Sequence, residues 1–181
     1  MIVADRDGWM RGARRIDSPN HDARPAGTTI SMVVVHAISL PPAQFGSGDI
    51  ARLFTNTLDP DAHPYFAQIF AQRVSAHFLI RRDGELIQFV ACEQRAWHAG
   101  ESSWKGQERC NDFSIGIELE GCDDIPFEEA QYRRLIELTT GLRECYPIAA
   151  VVGHSDISPG RKSDPGPCFD WSRMGDINRE V

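Results

Sequence analysis

Ile30-Ser31-Met32-Val33-Val34-Val35-His36 is the stretch on which the reading of this chain turns. Its β-branched, apolar residues run on without alternation. That pattern suits a strand buried on both faces rather than one with a wet side. Such a strand sits inside a sheet, and its C-terminal end delivers His36 where sheet proteins tend to place their sites.

A second strand signal lies at Phe113 to Glu120. Phe113, Ile115, Ile117 and Leu119 alternate with Ser114, Gly116, Glu118 and Glu120. The first set is expected in the core. The second set shows two carboxylates beside Gly116, where a missing side chain leaves room for something to approach. Ser75 to Ile80 and Leu86 to Val90 flank Arg82-Asp83-Gly84-Glu85, and Asp-Gly between apolar runs predicts a hairpin. Pro126 to Cys145 reads as an amphipathic helix, with Pro126 at its first position. Asp49 to Thr55 reads as a short helix with Asp49 as N-cap. Ala149 to Val152 is a short strand leading into His154. Asn20 to Thr28, Leu40 to Gly48 and Thr57 to Pro64 read as loops. Together these predict an α/β (α+β) fold in a single domain spanning residues 1–181, with a core of about 28–171.

The 181 residues are enough for one sizeable core. The formal net charge of -7 offers no basic footprint for nucleic acid or an anionic membrane. An anionic substrate would then need locally placed arginines. The five cysteines are odd in number and never at C-x-x-C spacing, which suits reduced, mostly buried thiols. Met1 to Asp7 lacks the apolar segment of a signal peptide. No apolar stretch approaches the ~20 residues needed to span a bilayer. A cytoplasmic protein, monomeric and not membrane-bound, is the expectation.

His36, His154 and Asp164 offer two imidazoles and a carboxylate from opposite ends of the chain. Three such ligands leave one tetrahedral position open, which distinguishes a catalytic zinc site from a structural one. Composition does not say whether they meet, and His36 alone equally suits a satisfied strand-end histidine. Glu118 and Glu120 are equal candidates for a general base. Lys162, two residues before Asp164, would bring an ammonium to such a site; otherwise it is a surface lysine. His77 reads as structural. His98 reads as a ligand, a substrate contact or a turn residue. His21 and His63 read as solvated. Trp97 suits either sugar stacking or packing, and Arg73 and Arg109 are plain charges. There is no Walker loop, no Gly-x-Ser-x-Gly elbow and no His-Glu-x-x-His.

Longer motifs resolve several of these choices. Val33-Val34-Val35-His36, Val74-Ser75-Ala76-His77-Phe78-Leu79-Ile80-Arg81-Arg82-Asp83-Gly84, Arg95-Ala96-Trp97-His98-Ala99-Gly100, Ser114-Ile115-Gly116-Ile117-Glu118-Leu119-Glu120-Gly121 and Gly153-His154 with Lys162-Ser163-Asp164-Pro165-Gly166 stand out. They resemble the zinc-dependent N-acetylmuramoyl-L-alanine amidases, which share a fold with peptidoglycan-recognition proteins and T7-type lysozyme. The likeness runs from Gly8-Trp9 to Phe169-Asp170-Trp171. It is strongest to the branch acting on 1,6-anhydro-N-acetylmuramyl-L-alanine. The resemblance implies one Zn2+ per chain on His36, His154 and Asp164. It implies Glu118, rather than Glu120, as the catalytic carboxylate, and Lys162 as stabiliser of the tetrahedral intermediate. It further implies Trp97 near the sugar, Arg73 and Arg109 facing the peptide, and a soluble anhydro-muropeptide substrate met in peptidoglycan recycling. Wall-lytic action on intact peptidoglycan and metal-free peptidoglycan binding are the alternatives within that fold. In one respect the chain departs from the branch: Ala37 stands where an Asn usually follows the first zinc histidine.

Overall fold

Met32 to His36 are all buried, and the strand continues to Ile38, so His36 lies inside it rather than at its end. The computed structural model describes Asp5 and residues 7–175. Most of the Met1–Asp7 segment read for an export signal therefore falls outside the described residues. In chain order the elements are β1 (Arg14–Arg15), β2 (His21–Ala23), β3 (Met32–Ile38), α1 (Asp49–Phe54), α2 (Phe66–Ile69), β4 (Phe78–Ile80), β5 (Leu86–Gln88) and β6 (Gln94–Ala96). They continue with β7 (Ser103–Trp104), β8 (Gln107–Glu108), β9 (Ser114–Glu120), α3 (Glu129–Cys145), β10 (Ala150–Gly153) and α4 (His154–Ile157).

Six strands form the central sheet in the order β1-β5-β4-β9-β3-β10. Among the described residues, only its β4–β5 hairpin pair is antiparallel. Parallel strands must be covered on both faces, and they are. On one face, Leu135, Leu138 and Leu142 of α3 pack with Val33, Val35, Ile115, Ile117 and Leu119. On the other, α1 and α2 bring Ile50, Leu53, Phe54, Phe66 and Ile69 against Leu79 and Ile87. Met32, Val34 and Val152 make a third cluster. The register of β3 on β9 sets His36 directly opposite Glu118, and β10 lies on the far side of β3.

Several local expectations are corrected. Phe113 ends a 3-10 turn with ψ of 11°, which interrupts the alternation. It therefore packs with Met32 and Val34, not with Ile115. Gly48, not Asp49, caps α1, and Asp49 occupies its first turn. Pro126 lies before α3, whose cap is Glu128, with Gln131 returning a bond to the Glu128 N–H at 3.0 Å. The loop expected at Asn20 to Thr28 contains β2, which pairs with β6. The hairpin strands are shorter than the apolar runs that marked them. All five cysteines are free; Cys92 and Cys110 are buried, but Cys145 is exposed. Among the described residues, no helix is long and apolar enough to cross a membrane.

Glu120 differs from its alternation partner Glu118. It is buried, and its carboxylate accepts the Gly46 N–H at 2.7 Å and the Arg82 N–H at 3.2 Å. Arg81 Nε approaches at 3.7 Å. Glu120 thus ties the 40–48 loop to the hairpin turn. Glu120→Ala removes the acceptor of both partly exposed amides, a net ~0.5–1.5 kcal/mol for each bond and so ~1–3 kcal/mol together. Urea unfolding should show a loss in that range, and a loss under ~0.5 kcal/mol would contradict the assignment.

Candidate metal centre and active site

His36 projects from β3, and His154 opens α4 where β10 ends. Asp164 comes from the loop beyond α4. That loop is folded back by two backbone bonds, Lys162 N–H to Ser158 O at 3.1 Å and Ser155 N–H to Asp164 O at 2.9 Å. Gly153 permits the approach, since a Cβ there would sit 2.8 Å from Pro165 Cδ. The result is a tight triangle. His36 Nδ1 and His154 Nδ1 are 3.0 Å apart, and Asp164 Oδ2 is 3.1 Å from each. Among the described residues these three make the group able to share a cation, with ligand atoms within 4.8 Å of one another.

The donor chemistry fits a metal. His154 Nε2 lies 3.0 Å from the Ala99 carbonyl. A carbonyl only accepts, so that nitrogen carries the proton and Nδ1 keeps its lone pair. Tetrahedral zinc with bonds of ~2.0–2.1 Å sets its ligands ~3.3 Å apart, close to what the triangle presents. Burial, opposed by Asp164, lowers the His36 pKa to about 4, so the imidazole is in its neutral, metal-binding form at neutral pH.

Beside the triangle is a cavity of about 450 Å³ lined by His36, Trp97, His98, Glu118, Lys162 and Asp164, among others. One carboxylate oxygen of Glu118 is buried with no hydrogen-bond partner. Burial raises the Glu118 pKa well above the ordinary value; Asp164 adds to the rise and Lys162 opposes it. Ala37 lines the same cavity and an adjoining hollow that includes Asp123 and Asp124.

Other candidates fall elsewhere. Arg73 is exposed and only reaches the Phe70 and Gln72 carbonyls at 3.4 Å. Arg109 lines a separate hollow of about 410 Å³ with Gly100, Glu101 and Arg161, and its side chain is 68% exposed. Neither lines the cavity beside the triangle. His77 is structural: its Nδ1 accepts the Gly116 N–H at 3.0 Å and its Nε2 faces the Gln94 carbonyl at 3.1 Å. His21 is exposed, while His63 is partly buried and accepts the Tyr65 N–H. The room left by Gly116 is filled by the His98 ring, 2.4 Å from where a Cβ would be. Arg24 escaped the sequence reading. Its guanidinium bonds the carbonyls of Cys92, Asn111, Asp112 and Ser114, and burial lowers its pKa to about 10. No local pattern marks such a residue, because its partners are scattered main-chain oxygens.

The family description N-acetylmuramoyl-L-alanine amidase matches residues 26–167. The chain belongs to that family. The amidase is 58% identical over 169 residues to the 1,6-anhydro-N-acetylmuramyl-L-alanine amidase AmpD of Escherichia coli K12, covering 92% of each chain. It superposes on a crystal structure of a selenomethionine AmpD derivative with a TM-score of 0.93 at 56% identity, covering 96% and 97% of the two chains. A third likeness is to the E. coli amidase AmiD, solved with anhydro-N-acetylmuramic acid-L-Ala-D-γ-Glu-L-Lys. There the TM-score is 0.60 at 30% identity, covering 99% of this amidase and 66% of that chain.

Glu118 yields a pH test. A carboxyl whose pKa is raised by folding supports stability below its unfolded value, ~4.3, and loses that support as pH rises. In metal-free protein, Glu118→Gln should therefore raise Tm at pH 7 and leave it nearly unchanged at pH 4. An equal shift at both values would mean that the charge is not what costs stability.

Proposed function

We propose that the chain hydrolyses the amide between the lactyl group of 1,6-anhydro-N-acetylmuramic acid and L-alanine in soluble anhydro-muropeptides. In this reading His36, His154 and Asp164 hold one Zn2+. The observation that carries it is the triangle of metal-competent donors beside an unpartnered, buried Glu118 oxygen. The substrate class is supported by the identity to AmpD and by the muropeptide bound to AmiD.

Amides resist attack because the carbonyl is a poor electrophile and the nitrogen a poor leaving group. Bound zinc would polarise the carbonyl and acidify water. Glu118 takes a proton from the attacking water on its unpartnered oxygen. It then delivers that proton to the departing L-alanine nitrogen. Burial raises its affinity for that proton above that of an ordinary carboxylate, which suits its part as acceptor in the first half. Lys162 places its ammonium by the oxyanion as the carbonyl becomes tetrahedral. Trp97, on the cavity wall, offers a flat face to the sugar. Arg73 and Arg109 meet the stem peptide's carboxylates from outside the cavity, where planar guanidinium forks suit bidentate bonds. Such local cations are needed because the chain carries a net charge of -7.

Mass spectrometry of products from a soluble anhydro-muropeptide, with and without a chelator, tests the proposal. Free L-alanyl peptide should appear only without chelator, and intact sacculi should be cut far more slowly. Preferential cleavage of sacculi would favour a wall-lytic amidase, and binding without cleavage a recognition module.

Two substitutions separate the roles. Asp164→Ala should lose zinc while the fold persists, as read by metal content and circular dichroism. Glu118→Ala should keep zinc and lose at least ~10²-fold in turnover, the scale of a missing general base. Stoichiometric zinc in the first, or near-normal turnover in the second, would remove that residue from its role.

For the peptide side, Arg109→Ala should raise KM for a tripeptide substrate more than it lowers kcat, because the contact is alike in ground and transition states. A substrate ending at L-alanine should respond much less. Equal responses would mean that Arg109 does not read the peptide.

A further inference from the structure

His36 uses one ring nitrogen in the triangle, and the other leads away from it into a chain of hydrogen bonds. Ser114 Oγ is 2.6 Å from the Cys110 carbonyl, so its hydroxyl proton is committed there. Toward its other neighbour, His98 Nε2 at 3.4 Å, the same oxygen can only accept. That nitrogen of His98 therefore carries the proton, and its Nδ1 is bare. His98 Nδ1 lies 2.9 Å from His36 Nε2 and accepts from it. His36 is then protonated at Nε2, and its Nδ1 turns a free lone pair toward His154 and Asp164.

The opposite arrangement is disfavoured at each step. With the proton on His98 Nδ1, His36 would accept at Nε2 and carry its proton on Nδ1, inside the triangle where a cation belongs. His98 Nε2 would then be a lone pair facing Ser114 Oγ, unless the 2.6 Å bond to Cys110 broke.

The His98 ring is itself held in place. It lies over Gly116, where any Cβ would collide with it, and Asn111 Oδ1 accepts both the His98 and Ala99 N–H groups at 3.2 and 2.9 Å. Ala99 in turn offers its carbonyl to His154 Nε2. One dipeptide thus faces the outer nitrogens of both histidines in the triangle, one through a side chain and the other through the main chain.

We propose that His98 is a positioning residue that, with Ser114 behind it, fixes His36 in the tautomer able to bind a metal through Nδ1. This rests on the reading of His36, His154 and Asp164 as a zinc site. Partners of this kind are worth ~10- to 100-fold in metal affinity. The sequence alone left His98 open as ligand, substrate contact or turn residue.

The test is zinc affinity of the full chain, by competition with a chromophoric chelator at fixed pH. The metal-free Tm of each variant is recorded beside it. Wild type should bind stoichiometrically. His98→Leu removes the acceptor and should weaken binding ~10- to 100-fold. His98→Asn keeps an oxygen near the Nδ1 position and should recover most of the affinity. His98→Gln, with its amide one carbon further out, should resemble Leu. A purely structural role would make affinity follow Tm and would not single out Asn. If the Leu variant does not fold, Ser114→Ala decides. It frees the His98 ring to change tautomer and should weaken zinc binding with His98 still present. Wild-type affinity in His98→Leu or in Ser114→Ala, or equal losses in Asn and Leu, overturns the proposal while the zinc site stands. Failure of the wild type to bind zinc overturns both.

Discussion

A slip of one residue between β3 and β9 would turn one strand over relative to the other, so that either His36 would face α3 or Glu118 would sit among its leucines, because side chains alternate faces along a strand. The observed register pairs His36 with Glu118 on the face away from α3, and β10 on the other side of β3 leads straight into His154. The whole site follows from that alignment. The register is enforced by apolar matching, since Val33, Val35, Ile115 and Ile117 must all reach the α3 layer together. Core packing and site geometry are therefore two faces of one constraint.

The site is expensive in stability. Four histidines, two carboxylates and a half-buried guanidinium occupy ground where an apolar core would pack well. Most of these groups are satisfied. Arg24 finds main-chain oxygens, His77 bonds the Gly116 N–H, and His154 faces the Ala99 carbonyl. The exception is Glu118, with one buried oxygen left without a partner. A lone unmet group amid satisfied neighbours is what a reaction that moves protons needs, and such sites commonly cost stability.

The pair Glu118 and Glu120 shows how position divides identical chemistry. Both point to the same face of β9, two residues apart. Glu120 lies beyond the cavity, under the 40–48 loop, where main-chain N–H groups and Arg81 absorb its charge. Glu118 lies beside Asp164, whose charge raises its pKa further. Neighbours rather than residue type separate a bracket from a candidate base.

Much of this architecture was legible in the sequence. The β-branched run at 32–35, the alternation from Ile115 to Leu119, the hairpin at Asp83-Gly84 and the stripe of α3 each report a local period, and local periods survive folding. Motif likeness added the family and a candidate site. Where the reading slipped, a single backbone event decided, such as the 3-10 turn that moves Phe113 to the other layer. What only the tertiary structure decided is pairing across long separations. It alone brings Asp164 to His36 and the Ala99 carbonyl to His154. It also seats His98 over Gly116 and buries Arg24 among unmarked carbonyls. A sequence records which groups a chain owns and how their hydrophobicity repeats. Which lone pair faces which proton depends on distances set by packing, and no local pattern contains them.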